Sequence, residues 1–224
     1  NNIFRFNIQR TFSSPSGFFQ DIKDHRYFQT GHTLMLAIFI SSSLGLTITG
    51  WVHAHRSTFA IDWITGYLFR SGNVIEWVAS IFWNPLRSFL FFSVLSLIWL
   101  GILIIHFLIT GVARRRKCSL TQSIDFSVWS SVIIVGLLPI GLVSARLFRY
   151  NLGWLVVSSL IILLVWAQIR FIYVYANFFR LKPVAAVLWW SLPSFTIILA
   201  ATLVLNHFNV IFTYWSFIME NIIR

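Results

Sequence analysis

Apolar and polar positions along the chain sort into five long apolar runs with short polar punctuation between them. The first covers residues 34–52, carries Ser41, Ser42, Ser43, Gly45 and Gly50, and ends at His53, His55 and Arg56. The second covers 86–112, interrupted by Arg87 near its start and His106 near its end. The third covers 126–147 and contains Gly136, Pro139 and Gly141. The fourth covers 152–169, and its helix can run on past Arg170 through Tyr173 and Tyr175 to Phe179. The fifth covers 184–205, after Arg180, Lys182 and Pro183, with Pro193 inside it. Crossing the hydrocarbon of a bilayer takes about 20 apolar residues of helix, and the runs lie near that length. Barrel strands would alternate polar and apolar residues, which these runs do not. The pattern predicts an all-α fold: a polytopic transmembrane helix bundle of five spans. Small residues in the first span predict close helix approach. The proline in the third predicts a bend or loosened backbone pairing.

Three segments fall outside the runs. Residues 1–33 form a polar lead in which Ser14 and Pro15 mark a helix start. Phe18, Phe19 and Ile22 then fall on an apolar side, with Asp21, Lys23, Asp24 and Arg26 towards water. Such a helix lies in the membrane interface facing lipid, or packs against its own bundle; the pattern fits both. Residues 57–85 are aromatic and apolar but broken by Asp62, Arg70, Asn73 and Glu76. They predict one or two interfacial or re-entrant helices between spans one and two, interrupted near Ser71 and Gly72. Trp63, Tyr67, Trp77 and Trp83 make this segment the candidate contact surface for a partner. Residues 206–224 predict an interfacial tail helix, with a sixth, tilted span as the lesser reading. The organisation is thus lead 1–33, five-span domain 34–205 and tail 206–224.

Composition strengthens the membrane reading. Of 224 residues, 58% are hydrophobic and only 10% charged, against about 25% charged in soluble domains. The formal charge is +11. Nucleic-acid binding is excluded as its cause, because the cations are scattered between apolar runs rather than gathered on one polar domain. Positive-inside anchoring explains them better. The densest run is Arg114, Arg115, Arg116 and Lys117, between the second and third spans. Four adjacent cations must lie at a membrane surface, since one alone costs about 2.5–3.5 kcal/mol at mid-depth. With five spans, eleven of the 17 cations fall on the side of that run and six on the other. This bias predicts a cytoplasmic N-terminus and an outside C-terminus. The run is first a topology device and second a contact for anionic headgroups.

Candidate chemistry is sparse. His106 lies about two turns from the end of the second span. An intramembrane ionisable group is a functional candidate by default; the plainer reading is a neutral imidazole hydrogen-bonded to a neighbouring helix. His53 and His55 point in different directions on a helix and have no third ligand nearby, so no metal site and no cofactor are predicted. The six carboxylates, Asp21, Asp24, Asp62, Glu76, Asp125 and Glu220, all lie outside mid-membrane. Ion- or proton-coupled transporters usually place such groups within their spans. Asp125 suits the start of the third span, and Ser119 and Thr121 are its candidate caps. No nucleophile constellation, phosphate-binding glycine loop or zinc-protease motif is present, and no enzyme is expected. The single cysteine, Cys118, allows no internal disulfide.

The order of parts has a counterpart among known families. Ser14, Pro15, Ser16, Gly17, Phe18 and Phe19 form a lead resembling an "SPxxFF" entry. A basic loop after the second span leads through Ser119, Leu120, Thr121, Gln122 and Ser123 into a span bearing Pro139. This resembles the Yip1 family of five-span membrane proteins, especially its bacterial branch, over most of residues 12–205. The resemblance implies a cytosolic N-terminus and a role beside transport, trafficking or envelope machinery, and supplies no catalytic residues. The Asp-Leu-Tyr-Gly-Pro-type motif of eukaryotic members has no counterpart here. The expected function is a non-catalytic membrane scaffold or accessory subunit that contacts membrane lipids and other membrane-protein subunits. The alternative is a lipid or small-molecule transporter, or its membrane subunit. The expected location is the bacterial inner membrane, or else a Golgi or ER membrane.

Overall fold

The structure, a computed structural model, describes residues 2–24, 30–55, 80–81, 83–115, 118–192, 195 and 199. These are helical throughout apart from turns and short links. In chain order the helices are α1 (Asn2–Ser13), α2 (Pro15–Lys23), α3 (Thr30–His55), α4 (Pro85–Ala113), α5 (Leu120–Ser130), a 3-10 segment (Val132–Gly136), α6 (Leu137–Arg149), α7 (Gly153–Phe179) and α8 (Pro183–Leu192). Among the described residues four units are long and apolar enough to cross a membrane: α3, α4, the composite Leu120–Arg149, and α7. The fourth predicted span takes its longer form, through Phe179. The fifth, 184–205, is helical to Leu192, and most of its remainder lies outside the described residues. Also outside them lie residues 206–224 and most of 57–85, including Trp63, Tyr67 and Trp77.

The end of the bundle that carries Arg114 and Arg115 is here called the basic end. Helices α3 and α5 start there; α4 and α7 finish there. Helix α3 is the hub, with α4 on one side and α6 on another. Glycines on α3 and α6 set the distance of the second crossing. A Cβ on Gly50 would lie 2.7 Å from the Ser144 Cβ, and one on Gly141 would lie 3.1 Å from the Thr47 backbone nitrogen. Small and hydroxyl residues let these backbones meet, as helices do where lipid leaves little hydrophobic drive between them. The outer faces are apolar instead. Leu90, Val94, Ile98, Ile105 and Ile109 stand exposed along α4, a stripe far larger than a soluble surface tolerates.

Helix ends follow their sequence signals. Asn84 caps α4, its side chain accepting from the backbone nitrogens of Leu86 (3.0 Å) and Arg87 (3.2 Å), with Pro85 in the first turn. Ser119 and Gln122 form a reciprocal capping box that starts α5 six residues before the apolar run. Thr121 is exposed and does not cap. Arg180 ends α7 in the left-handed region, at φ 51°.

The third span is broken midway. Pro139 has no N–H to give the Val135 carbonyl and crowds it. The chain tightens into the 3-10 segment just before it, around Gly136. Ser130 and Ser131 donate back to the carbonyls of Phe126 (2.5 Å) and Ser127 (3.0 Å), which further loosens the helix ahead of the break.

The N-terminal lead holds two helices, of which α1 was not predicted. Helix α2 is packed rather than lipid-facing. Phe18 and Ile22 are almost wholly buried, and Phe19 nearly so, against α5 and α7. Phe18 meets Trp129 edge-on at 5.2 Å, and Phe19 stacks on Phe126 at 5.9 Å. Gln122 donates to the Lys23 carbonyl at 2.8 Å and ties the end of α2 to the start of α5.

Candidate functional site

Polar side chains buried between helices gather near the basic end. The first group surrounds His106. Its Nε2 lies 3.0 Å from the Tyr175 hydroxyl of α7, and the two rings stack 5.6 Å apart. Tyr175 shares a second, short bond with Thr110, whose hydroxyl donates to the His106 carbonyl at 3.0 Å. Because Thr110 gives its one hydroxyl proton to that carbonyl, Tyr175 donates to Thr110 and accepts from the Nε2–H of His106. The cluster clasps α4, α7 and α8 together. Trp190 completes it, edge-on to His106 at 6.1 Å, its indole N–H donating to Gln168.

The second group joins α3 to α5. Thr33 donates to the Asp125 carboxylate at 2.6 Å and accepts from the Trp129 indole at 3.1 Å. Asp125 is therefore a buried cross-helix partner one turn inside α5; the end of that helix is capped by Ser119 instead.

The third group is a cation without a carboxylate partner among the described residues. Arg170 is 8% exposed, and its guanidinium carbon stands 5.4 Å from the Phe12 ring and 5.5 Å from the Phe19 ring. Its Nε and Nη2 have no hydrogen-bond partner among the described residues. Beside it, a cavity of about 280 Å³ opens between α2 and α7. Lys23 and Arg180 line its mouth, and Phe19, Phe126 and Phe178 form its inner wall. No carboxylate lines it. Asp21 of α2 pairs with Arg10 instead, and Asp24 receives the Gln20 amide at 3.1 Å.

The remaining predicted residues are dispersed. Arg114 and Arg115 are exposed beyond α4, the latter at φ 53°; Arg116 and Lys117 lie outside the described residues. Trp83 is exposed just ahead of α4. His53 approaches Ser88 of α4 at 3.3 Å, whereas His55 lies 2.9 Å from the Trp51 carbonyl and packs edge-on against Phe148 of α6 at 4.9 Å, so the two turn to different helices. Among the described residues no His, Cys, Asp and Glu side chains gather as a metal site. Asp62, Glu76 and Glu220 lie outside those residues.

Cys118 is half-buried with its sulfur 3.2 Å from the Ser123 hydroxyl. Burial pushes this thiol up from its ordinary value, and the Ser123 bond offsets part of that. A raised value leaves less thiolate at neutral pH, and the thiolate is the nucleophile. Maleimide labelling in detergent should therefore be slower at Cys118 than at a cysteine placed on exposed Thr121. Its rate should still be climbing above the usual thiol range near pH 8.5. A plateau at or below that pH would contradict the burial.

Of these partners, Tyr175 and Arg170 were visible as polar interruptions of an apolar run. Thr33, Thr110 and Gln168 gave no signal, since nothing local ties them to residues on another helix. No protein-family model, no curated protein and no solved structure matches the chain.

Proposed function

We propose that the chain is a non-catalytic membrane scaffold or accessory subunit with five spans, its N-terminus cytoplasmic and its C-terminus outside. The observation that carries this reading is the filled interior. A transporter needs a polar passage at mid-depth between its spans. Among the described residues Leu100, Ile133, Ile134 and Leu137 are buried in the core near mid-span, and towards the basic end Phe107 meets Phe126 and Phe171, and Phe126 meets Phe178, between α4, α5 and α7. Their rings approach to 4.6–6.4 Å, leaving packing rather than a path. The apolar stripe of α4 then faces lipid or a neighbouring subunit. The fifth span is carried by α8, which enters the bundle from the basic end at Pro183 and reaches His106 through Trp190. The resemblance to the Yip1 family agrees with this reading through its five spans and cytosolic start.

Purification in a gentle detergent followed by mass spectrometry should recover a membrane partner in stoichiometric amount. Recovery of the chain alone, as a monomer, would remove the scaffold. Orientation has its own test. In a Cys118→Ala background, Thr121→Cys should resist an impermeant thiol reagent in intact cells and react once the cells are opened. Labelling in intact cells would invert the topology.

A further inference from the structure

We propose that the cavity between α2 and α7 binds the phosphate headgroup of an anionic phospholipid, with the start of its acyl chains along the aromatic wall. The argument begins with charge. Lys23 and Arg180 stand at the mouth, no carboxylate lines the cavity, and neither cation makes an ion pair among the described residues. Of the nearby acidic side chains, Asp21 is paired with Arg10, and Asp24, just past the end of α2, is exposed and turned back to the Gln20 amide rather than lining the cavity. Two cations held at one opening without a counter-charge form a site for an anion, and ammonium and guanidinium donors bond phosphate oxygens with charge-assisted strength. Ser16 adds a hydroxyl at the same rim.

The inner half of the cavity selects among anions. Phe19, Phe126 and Phe178 line it, and a free inorganic ion gains nothing from such a wall. An amphiphile whose head stays among the cations and whose chain enters apolar surroundings uses both halves. Placement agrees with this. The cavity lies at the basic end, where α7 finishes and α5 begins, at the level where a lipid headgroup meets the spans. Arg170 reinforces the field from behind. It lies one turn deeper on the α7 face that carries Val174 and Asn177, and it stacks against the far side of the wall at Phe19. Its buried Nε and Nη2 have no other partner among the described residues. The site is distinct from the exposed Arg114 and Arg115 beyond α4. It requires only that the chain sit in a bilayer and not that it act as a scaffold.

Native mass spectrometry of the purified full chain tests this, with dioleoylphosphatidylglycerol, dioleoylphosphatidylcholine, glycerol 3-phosphate and inorganic phosphate as separate probes. One phosphatidylglycerol should bind saturably, with at least about tenfold preference over phosphatidylcholine. The double variant Lys23→Gln with Arg180→Gln should lose that preference, whereas Lys23→Arg should keep it. Arg146→Gln with Arg149→Gln, at the opposite end of the bundle, should bind as the parent does, which controls for net charge. Equal binding of phosphatidylcholine, unchanged binding by the Lys23/Arg180 variant, or equal retention of glycerol 3-phosphate or inorganic phosphate would each overturn the proposal. If the double variant elutes as aggregate, Ser16→Trp supplies the second arm. It fills the mouth without removing a charge and should abolish saturable binding; full binding by that variant would overturn the proposal equally.

Discussion

Gly50→Leu is expected to cost about 3 kcal/mol of stability, at the upper end of what an overfilled interface costs. The Cβ alone would fall 2.7 Å from the Ser144 Cβ and 3.4 Å from the Ala145 backbone nitrogen. Backbone cannot swing aside as a side chain can, so α3 and α6 must separate. The reciprocal contact at Gly141 against Thr47 would open with them, since both belong to one crossing. The comparison that makes the result specific is Gly101→Leu. No atom lies within 4 Å of a Cβ there, so this change should stay within about 0.5 kcal/mol. Thermal unfolding in one detergent, followed by intrinsic fluorescence, measures both. Equal loss from the two variants would show that helix propensity or detergent, and not the α3–α6 crossing, sets the result.

Thr33→Val keeps shape and removes one hydroxyl, yet is expected to cost about 2 kcal/mol. The hydroxyl works in both directions, donating to Asp125 and accepting from Trp129. Hydrogen bonds to a carboxylate contribute about 1.5–3 kcal/mol where the acceptor is charged, and the indole bond is lost with it. Most bonds between membrane helices are worth less, about 0.6 kcal/mol on average. Tyr175→Phe, which removes a bond to His106 from the other polar cluster, should therefore cost clearly less than Thr33→Val. Thr33→Ser should restore nearly all of the loss. Equal stability of the Val and Ser variants would mean that the Asp125 bond contributes nothing.

The spans were legible because apolar length is a one-dimensional signal. Residues 86–112 were expected and Pro85–Ala113 is observed, bounded by the Asn84 and Pro85 that punctuate the sequence. The start of the third unit was read six residues late. Gln122, Ser123, Asp125 and Ser127 are polar and suggest a boundary, but all four are buried, with Gln122 bonded to the end of α2 and Asp125 to α3. Hydropathy measures affinity for lipid, and these side chains face protein. The same limit hid α1 and left α2 with two readings. The face of Phe18, Phe19 and Ile22 would serve a bilayer surface as well as it serves α5 and α7. His106 stood out as an ionisable group in an apolar run. Its clasp with Tyr175 did not, because a bond across 69 positions leaves no periodic trace.

The seating of α2 also dictates an order of assembly. Phe18, Phe19 and Ile22 are made before α3 to α7, and the surface that covers them comes from α5 and α7, about a hundred or more positions later. Until α5 has been inserted, that apolar face has no native cover from the bundle, and until α7 follows the cover is incomplete. Closing so long a loop is entropically slow compared with the pairing of α3 and α4. Docking of the N-terminal helices is then the last step of folding, and the α2–α7 cavity exists only in a chain that has completed it. Chains stalled after α4 would present α2 bare, where a quality-control protease or a chaperone could recognise them as unfinished.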